Sequence, residues 1–226
     1  CITADWVKGQ WHVSAITPIG KISYSLNVAG RHNVKNSLAA AACALAAGIP
    51  ITTIVTGLQA FRAVKGRSFS QAVHINGRDL LLIDDTYNSN PDSMKVAIDS
   101  LSEMAEPRLV VMGDMGEVGE QGLAFHAEAG EYAQNKGIQQ LFVLGDLSRE
   151  AVKHFKGAQH FETIDALLTA VSNTVGDVNS ILVKGSRFMK MERVSAHILA
   201  LAAPDRSTPN SNTNNENNKK EANHVA

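Results

Sequence analysis

Four consecutive apolar residues, 80–83, run straight into two aspartates and then into Thr86-Tyr87-Asn88-Ser89-Asn90-Pro91-Asp92. An unbroken apolar run of this length, cut off by polar residues, predicts a strand buried on both faces of a parallel sheet. Asn90-Pro91-Asp92 predicts a helix start. Asparagine caps, proline suits the first helical position, and an acid favours the positive end of the helix dipole. Residues 84–90 then form a loop at the carboxyl end of a strand, where open α/β sheets take their ligands. The two adjacent acids either serve a ligand there or do fold work, one capping and one solvated.

The pattern repeats downstream. Apolar runs at 109–112, 141–144 and 180–183 predict strands, with a shorter one at 159–161. Helices are predicted over 94–101, 123–136, 147–155, 167–175 and 191–202 from apolar spacing and from the glycine stops at Gly137 and Gly157. Strands alternating with helices make a doubly wound, mostly parallel α/β sheet of Rossmann-like type. The strand ends then gather Asp84-Asp85, Gly113-Asp114-Met115-Gly116-Glu117, Gly145-Asp146 and Lys184-Gly185-Ser186-Arg187 on one edge.

Upstream, 11–17 and 21–28 have strand character around the turn Pro18-Ile19-Gly20, which predicts a hairpin. Gly20-Lys21 is not a phosphate loop. That loop needs a glycine five residues earlier and a Ser or Thr after the lysine, whereas Ala15 and Ile22 stand there. An alanine-rich helix runs to about residue 47 and stops at Gly48 and Pro50; a second helix covers 51–61. The first opens with His32-Asn33-Val34-Lys35-Asn36, whose two amides share one face of the first turn. An amide offers both donor and acceptor and suits an adenine edge, although spacing alone favours simple capping. A boundary falls between Arg67 and Gly77, giving units 1–70 and 71–203. Residues 204–226, rich in Asn, Ser, Thr, Lys and Glu, are read as a disordered tail.

A net charge of −1 argues against a nucleic-acid surface, and no apolar run approaches the ~18 residues a membrane helix needs. Cys1 and Cys43 have no metal spacing; Cys43, within the alanine run, is expected to be a buried free thiol, which suits a reducing cytoplasm. Because the chain begins at Cys1 rather than Met, it is read as a fragment. Oligomeric state is not legible, and a monomer is the default.

Four segments together resemble the Mur ligases over residues 10–203. They are His32-Asn33-Val34-Lys35-Asn36, Gly66-Arg67, the Asp84–Pro91 stretch, and Gly113-Asp114-Met115-Gly116-Glu117-Val118-Gly119 with His126. The last is similar to the family's Gly-Asp-Met-x-Glu-Leu-Gly segment, with Val118 in place of leucine. Lys184-Gly185-Ser186-Arg187 resembles the segment marking those family members that add D-alanyl-D-alanine to UDP-N-acetylmuramoyl-tripeptide.

The resemblance implies an ATP-dependent amide ligase of peptidoglycan precursor synthesis, working through an acyl phosphate. It implies ATP contacts from Asn33, Asn36, Arg67 and Asp85, with Asp85 accepting from ribose hydroxyls. It implies substrate contacts from Asn88, Asn90, Asp114, Glu117, Lys184, Ser186 and Arg187. Asp114 and Glu117 suit the dipeptide ammonium, and Lys184 and Arg187 suit its carboxylate. The main catalytic residues, the phosphate loop and the magnesium ligands are expected upstream of Cys1, and the isolated chain is expected to be inactive. His126 is read as helix packing rather than a catalytic base, and His32 as packing or capping as readily as binding. Alternatives are another Mur-type amide ligase such as folylpolyglutamate synthase, against which the 184–187 segment argues, and a non-catalytic nucleotide-binding module.

Overall fold

The computed structural model describes residues 2–7 and 9–202; the 204–226 segment lies outside the described residues. The sequence-predicted hairpin is present as β2 (Gln10–Thr17) and β3 (Gly20–Leu26), antiparallel. A further strand, β1 (Ile2–Val7), pairs with β2 to complete a three-stranded sheet. Alternate residues of β2 and β3 (Trp11, Val13, Ala15; Ile22, Tyr24, Leu26) are buried under α1 (Arg31–Ala46) and α2 (Ile51–Ala60). Gly30 precedes α1 at φ 88, and a side chain there would collide with Ser100 and the His32 ring, so only glycine fits. Cys43 is exposed, contrary to expectation. Of α1, Val34, Ser37 and Ala41 are the fully buried residues, so the helix meets the sheet with one stripe.

The second sheet has the order β4-β5-β9-β6-β7-β8. Its strands are β4 (Phe69–Ile75), β5 (Arg78–Asp85), β6 (Arg108–Gly113), β7 (Gln140–Leu144), β8 (Gln159–Phe161) and β9 (Ser180–Lys184). Only the β4–β5 pair is antiparallel. Successive residues of each central strand feed opposite faces. Ile83, Val110, Met112 and Leu182 join α3 (Pro91–Ser102), α4 (Gly122–Asn135) and α5 (Arg149–Val152). Leu82, Leu109, Val111, Ile181 and Val183 join α6 (Ile164–Thr174) and α7 (Glu192–Leu201). This double burial is why the strands read as continuous apolar runs. Because β9 returns between β5 and β6, the loops after these three strands stand side by side.

Three boundaries differ from expectation. Asp84 and Asp85 close β5 rather than open its loop, and Lys184 closes β9. The helix expected over 147–155 is the four-residue α5. Strand β4, unanticipated, is joined to β5 through Asn76 and Gly77, both at positive φ (52 and 79), the geometry of a tight hairpin turn.

Candidate functional site at the carboxyl edge of the second sheet

Helix α3 begins as its sequence requires. The Asn90 side chain accepts from the Ser93 amide at 2.8 Å, and the Ser93 hydroxyl accepts from the Asn90 amide at 3.0 Å, closing a reciprocal cap with Pro91 at the first turn. The Asn90 side-chain oxygen is therefore committed to the helix. Above this helix end opens a cavity of about 640 Å³. His32 and Asn36 of α1, Arg67 of the connector, Asp85 and Asn88 from the end of β5, and Lys184 of β9 are among its walls.

Parallel pairing puts Asp85 and Lys184 directly opposite each other in the β5–β9 register. The Lys184 ammonium lies 2.6 Å from Asp85 Oδ2 and donates to the Asn88 carbonyl at 2.9 Å. Lys184 is 2% exposed, so this is a buried pair. Asp85 Oδ1 accepts from the Ser68 amide at 2.8 Å. Lys184 was expected to face a substrate carboxylate; the structure gives its ammonium an internal carboxylate instead. The Arg67 guanidinium stands 4.0 Å from the centre of the Tyr87 ring, and that of Arg187 stands 6.0 Å from the same ring. Tyr87 and Asn88 also line a second cavity of about 480 Å³, together with Gly116, Glu117, Ser186, Arg187 and Phe188.

The loops are tied to one another from inside. Ser186 Oγ donates to the Ser89 carbonyl at 3.0 Å and accepts from the Gly116 amide at 2.6 Å. The Ser186 amide donates to the Asp114 carbonyl at 3.0 Å. The Asp114 carboxylate accepts from the Ser148 amide at 2.7 Å, the Ser148 hydroxyl and the Leu147 amide at 3.3 Å. Asp114 lines neither cavity. Gly145 passes so close to that carboxylate, at φ 121, that a side chain at 145 would overlap it.

Asn33 and Asn36 are adjacent but differently placed. Asn33 Nδ2 donates to the Ala29 carbonyl at 2.7 Å, and its oxygen accepts from Asn36 Nδ2 at 3.5 Å. Both line an apolar slot of about 320 Å³ with Val28, Leu58 and Phe61, and Asn36 also reaches the large cavity. Burial pushes the His32 imidazole below its ordinary pKa near 6.5, against a smaller upward pull from Asp85. Sequence reasoning passed over Tyr87, Phe188 and the bonding role of Ser148. The first two had a signal, being large aromatics in polar strand-end loops; Ser148 had none. Among the described residues no cluster of three or more His, Cys, Asp or Glu could hold a metal ion. No helix there is long and apolar enough to cross a membrane.

A family model described as Mur ligase, glutamate ligase domain, matches residues 66–187. The chain is 41% identical to a UDP-N-acetylmuramoyl-tripeptide–D-alanyl-D-alanine ligase of Haemophilus influenzae, over 79% of this chain and 40% of that protein. It is 38% identical to the enzyme of the same name from Escherichia coli, over 79% of this chain and 39% of that one. Among solved structures it resembles MurF from Acinetobacter baumannii, with a TM-score of 0.77, 31% identity, and coverage of 88% of this chain and 44% of that one. The chain thus spans about 40% of the length of these two curated relatives.

Proposed function

The chain belongs to the Mur ligase family, and on that premise we propose that it forms the adenosine-facing and dipeptide-facing part of an ATP-dependent ligase. That ligase would join D-alanyl-D-alanine to UDP-N-acetylmuramoyl-tripeptide during cytoplasmic assembly of a peptidoglycan precursor. In the reaction, the tripeptide carboxylate takes the γ-phosphoryl group of ATP, releasing ADP. The dipeptide amine then attacks the acyl phosphate, forming the amide, losing a proton and expelling phosphate. The unit read as 1–70, with its own core, fits the end of a central ATP-binding domain, and the second sheet, which begins at Phe69, fits the carboxyl-terminal domain.

The observation that carries this reading is the meeting of Asn36, Arg67 and Asp85 at one cavity, flanked by the 113–119 and 184–187 loops at a second. These groups suit adenosine: an amide for the base edge, a carboxylate to accept from ribose hydroxyls and a guanidinium to donate to phosphate. At the second cavity, Glu117 suits the dipeptide ammonium and Arg187 its carboxylate. Arg187 is exposed and its ion pair with Glu192 is long, at 3.4 Å. Lys184, bonded to Asp85 and the Asn88 carbonyl, serves as the brace that aims these two residues rather than as a carboxylate receptor. Magnesium would accompany ATP; among the described residues no cluster of three or more His, Cys, Asp or Glu could hold it.

Calorimetric titration of the purified chain with ATP and magnesium, with a phosphate-release assay in the presence of both substrates, tests the reading. Weak, saturable nucleotide binding without turnover is expected, because phosphoryl transfer needs a phosphate-cradling loop and lysine that the sequence does not contain. No nucleotide binding at millimolar concentration refutes the adenosine site; robust phosphate release refutes the division of labour.

A further inference from the structure

We propose that His126 is a positioning residue that holds the 113–119 loop as a neutral imidazole protonated on Nδ1, and so sets where Glu117 presents its carboxylate at the second cavity. The substrate part of this inference rests on the reading above; the geometry of the lock does not.

His126 lies on the second turn of α4 and is fully buried, at 0% exposure. Its Nδ1 is 2.6 Å from the Gly122 carbonyl, and its Nε2 is 2.9 Å from the Met115 amide. A carbonyl can only accept, so Nδ1 carries the proton. An amide N–H can only donate, so Nε2 is bare. No other tautomer satisfies both partners, and a charged ring would set N–H against N–H. Burial also pushes the ring's pKa down, outweighing the Gly122 bond and the Asp114 charge. The Asp114 carboxylate, 4.0 Å away, is spent on Leu147 and Ser148.

The two amides after Asp114 are claimed by different elements. The Met115 amide goes to His126 on α4, and the Gly116 amide goes to Ser186 beyond β9. Clamped on both sides, the chain enters Glu117 at φ 58, the left-handed region, which is unfavourable for a residue with a side chain. Such a conformation persists where the surroundings over-determine it. His126 supplies one of the two clamps. It lines neither cavity, so it can act on a bound ligand only through the loop.

Imidazole nitrogen NMR of the unmodified chain reads the tautomer directly, and hydrogen exchange reads the loop. At neutral pH a bare Nε2 and a protonated Nδ1 are expected. His126→Leu fills the volume but removes both bonds. In it the Met115 and Gly116 amides should exchange at least about tenfold faster, while β6 and β7 amides keep wild-type rates. His126→Gln keeps a donor and an acceptor and should restore most of the protection. Titrated with D-alanyl-D-alanine, His126→Leu should bind about three- to tenfold more weakly, with ADP affinity within about twofold of wild type. An Nε2–H tautomer, a charged ring at pH 7, or exchange rising evenly across the sheet overturns the lock. A loosened loop with unchanged dipeptide affinity overturns the positioning role. A wild-type chain blind to the dipeptide refutes the functional reading, while tautomer and exchange still decide the lock.

Discussion

Replacing Lys184 by methionine keeps the buried stem and removes the charge. The ammonium is 2% exposed and serves Asp85 Oδ2 at 2.6 Å and the Asn88 carbonyl at 2.9 Å. Breaking a buried pair on one side costs about 3–5 kcal/mol, because the remaining charge is left without its partner. Two facts reduce that figure here. The Asp85 side chain is 16% exposed at a cavity mouth, and it keeps the Ser68 amide at 2.8 Å. Water and one hydrogen bond therefore recover part of the loss, leaving about 2–4 kcal/mol, which for a chain of this size lowers the melting midpoint by about 4–15 °C. Thermal unfolding by circular dichroism measures it. Asp85→Asn combined with Lys184→Met should destabilise by less than the sum of the two single changes, since neither buried charge is then orphaned. A midpoint for Lys184→Met within about 1 °C of wild type, with dipeptide affinity lost, would refute the brace and return Lys184 to the role its sequence suggests.

Asn90→Ala removes the cap of α3 and should cost about 1 kcal/mol, a fall of about 2–4 °C in the same melt, with Asn90→Gly milder. Arg67→Ala should weaken ADP binding about tenfold in calorimetry and lower the midpoint by no more than about 1–4 °C, because an exposed stack on Tyr87 contributes only about 0.5–1 kcal/mol. Burial holds the His126 and His32 pKa values below the ordinary 6.5, so the unfolded chain binds more protons than the folded one just below that pH. Their contribution is intact above about pH 6.5 and is lost as pH falls through the depressed folded values. Midpoints recorded from pH 7.5 to 5 should decline, and less steeply in His126→Gln; equal slopes would discount His126 as a contributor.

The parts of the fold visible in the sequence are those in which one residue's neighbours along the chain decide its fate. The β5 run and the Asn90-Pro91 helix start are local, and both are present, β5 extending two residues further than expected through Asp85. Strand β4 escaped notice because Ser70, Gln71 and His74 dilute it. As an edge strand it fully buries only Val73 and Ile75, and Asn76-Gly77 was the signal that marks the hairpin. The helix expected over 147–155 is shorter at both ends: the Leu147 and Ser148 amides go to Asp114, over thirty residues away, and the Lys153 and His154 amides bond three residues back rather than four. Lys184 declared its charge but not its partner. That partner, 99 residues earlier, depends on β9 returning beside β5. His126 is the same kind of case, because its second bond is to a backbone amide and no side-chain pattern betrays it.

These long-range bonds sort the strand-end residues into two rings. Asp114, Ser148, Ser186, Lys184 and His126 point their polar atoms at neighbouring loops and are nearly dry. Arg67, Tyr87, Asn88, Glu117 and Arg187 lie outside them and are exposed. The inner groups were desolvated during folding and already have partners, so a ligand gains little by competing for them. The outer groups still carry water, and Arg67 and Arg187 offer full charges near one aromatic ring. On the function proposed above, recognition at this edge would fall to the outer ring, while the inner ring fixes the spacing between its members. Substitutions in the inner ring should lower both the melting midpoint and affinity, whereas those in the outer ring should lower affinity alone. An inner-ring residue whose loss spares stability would show that the loops are positioned by something other than their mutual hydrogen bonds.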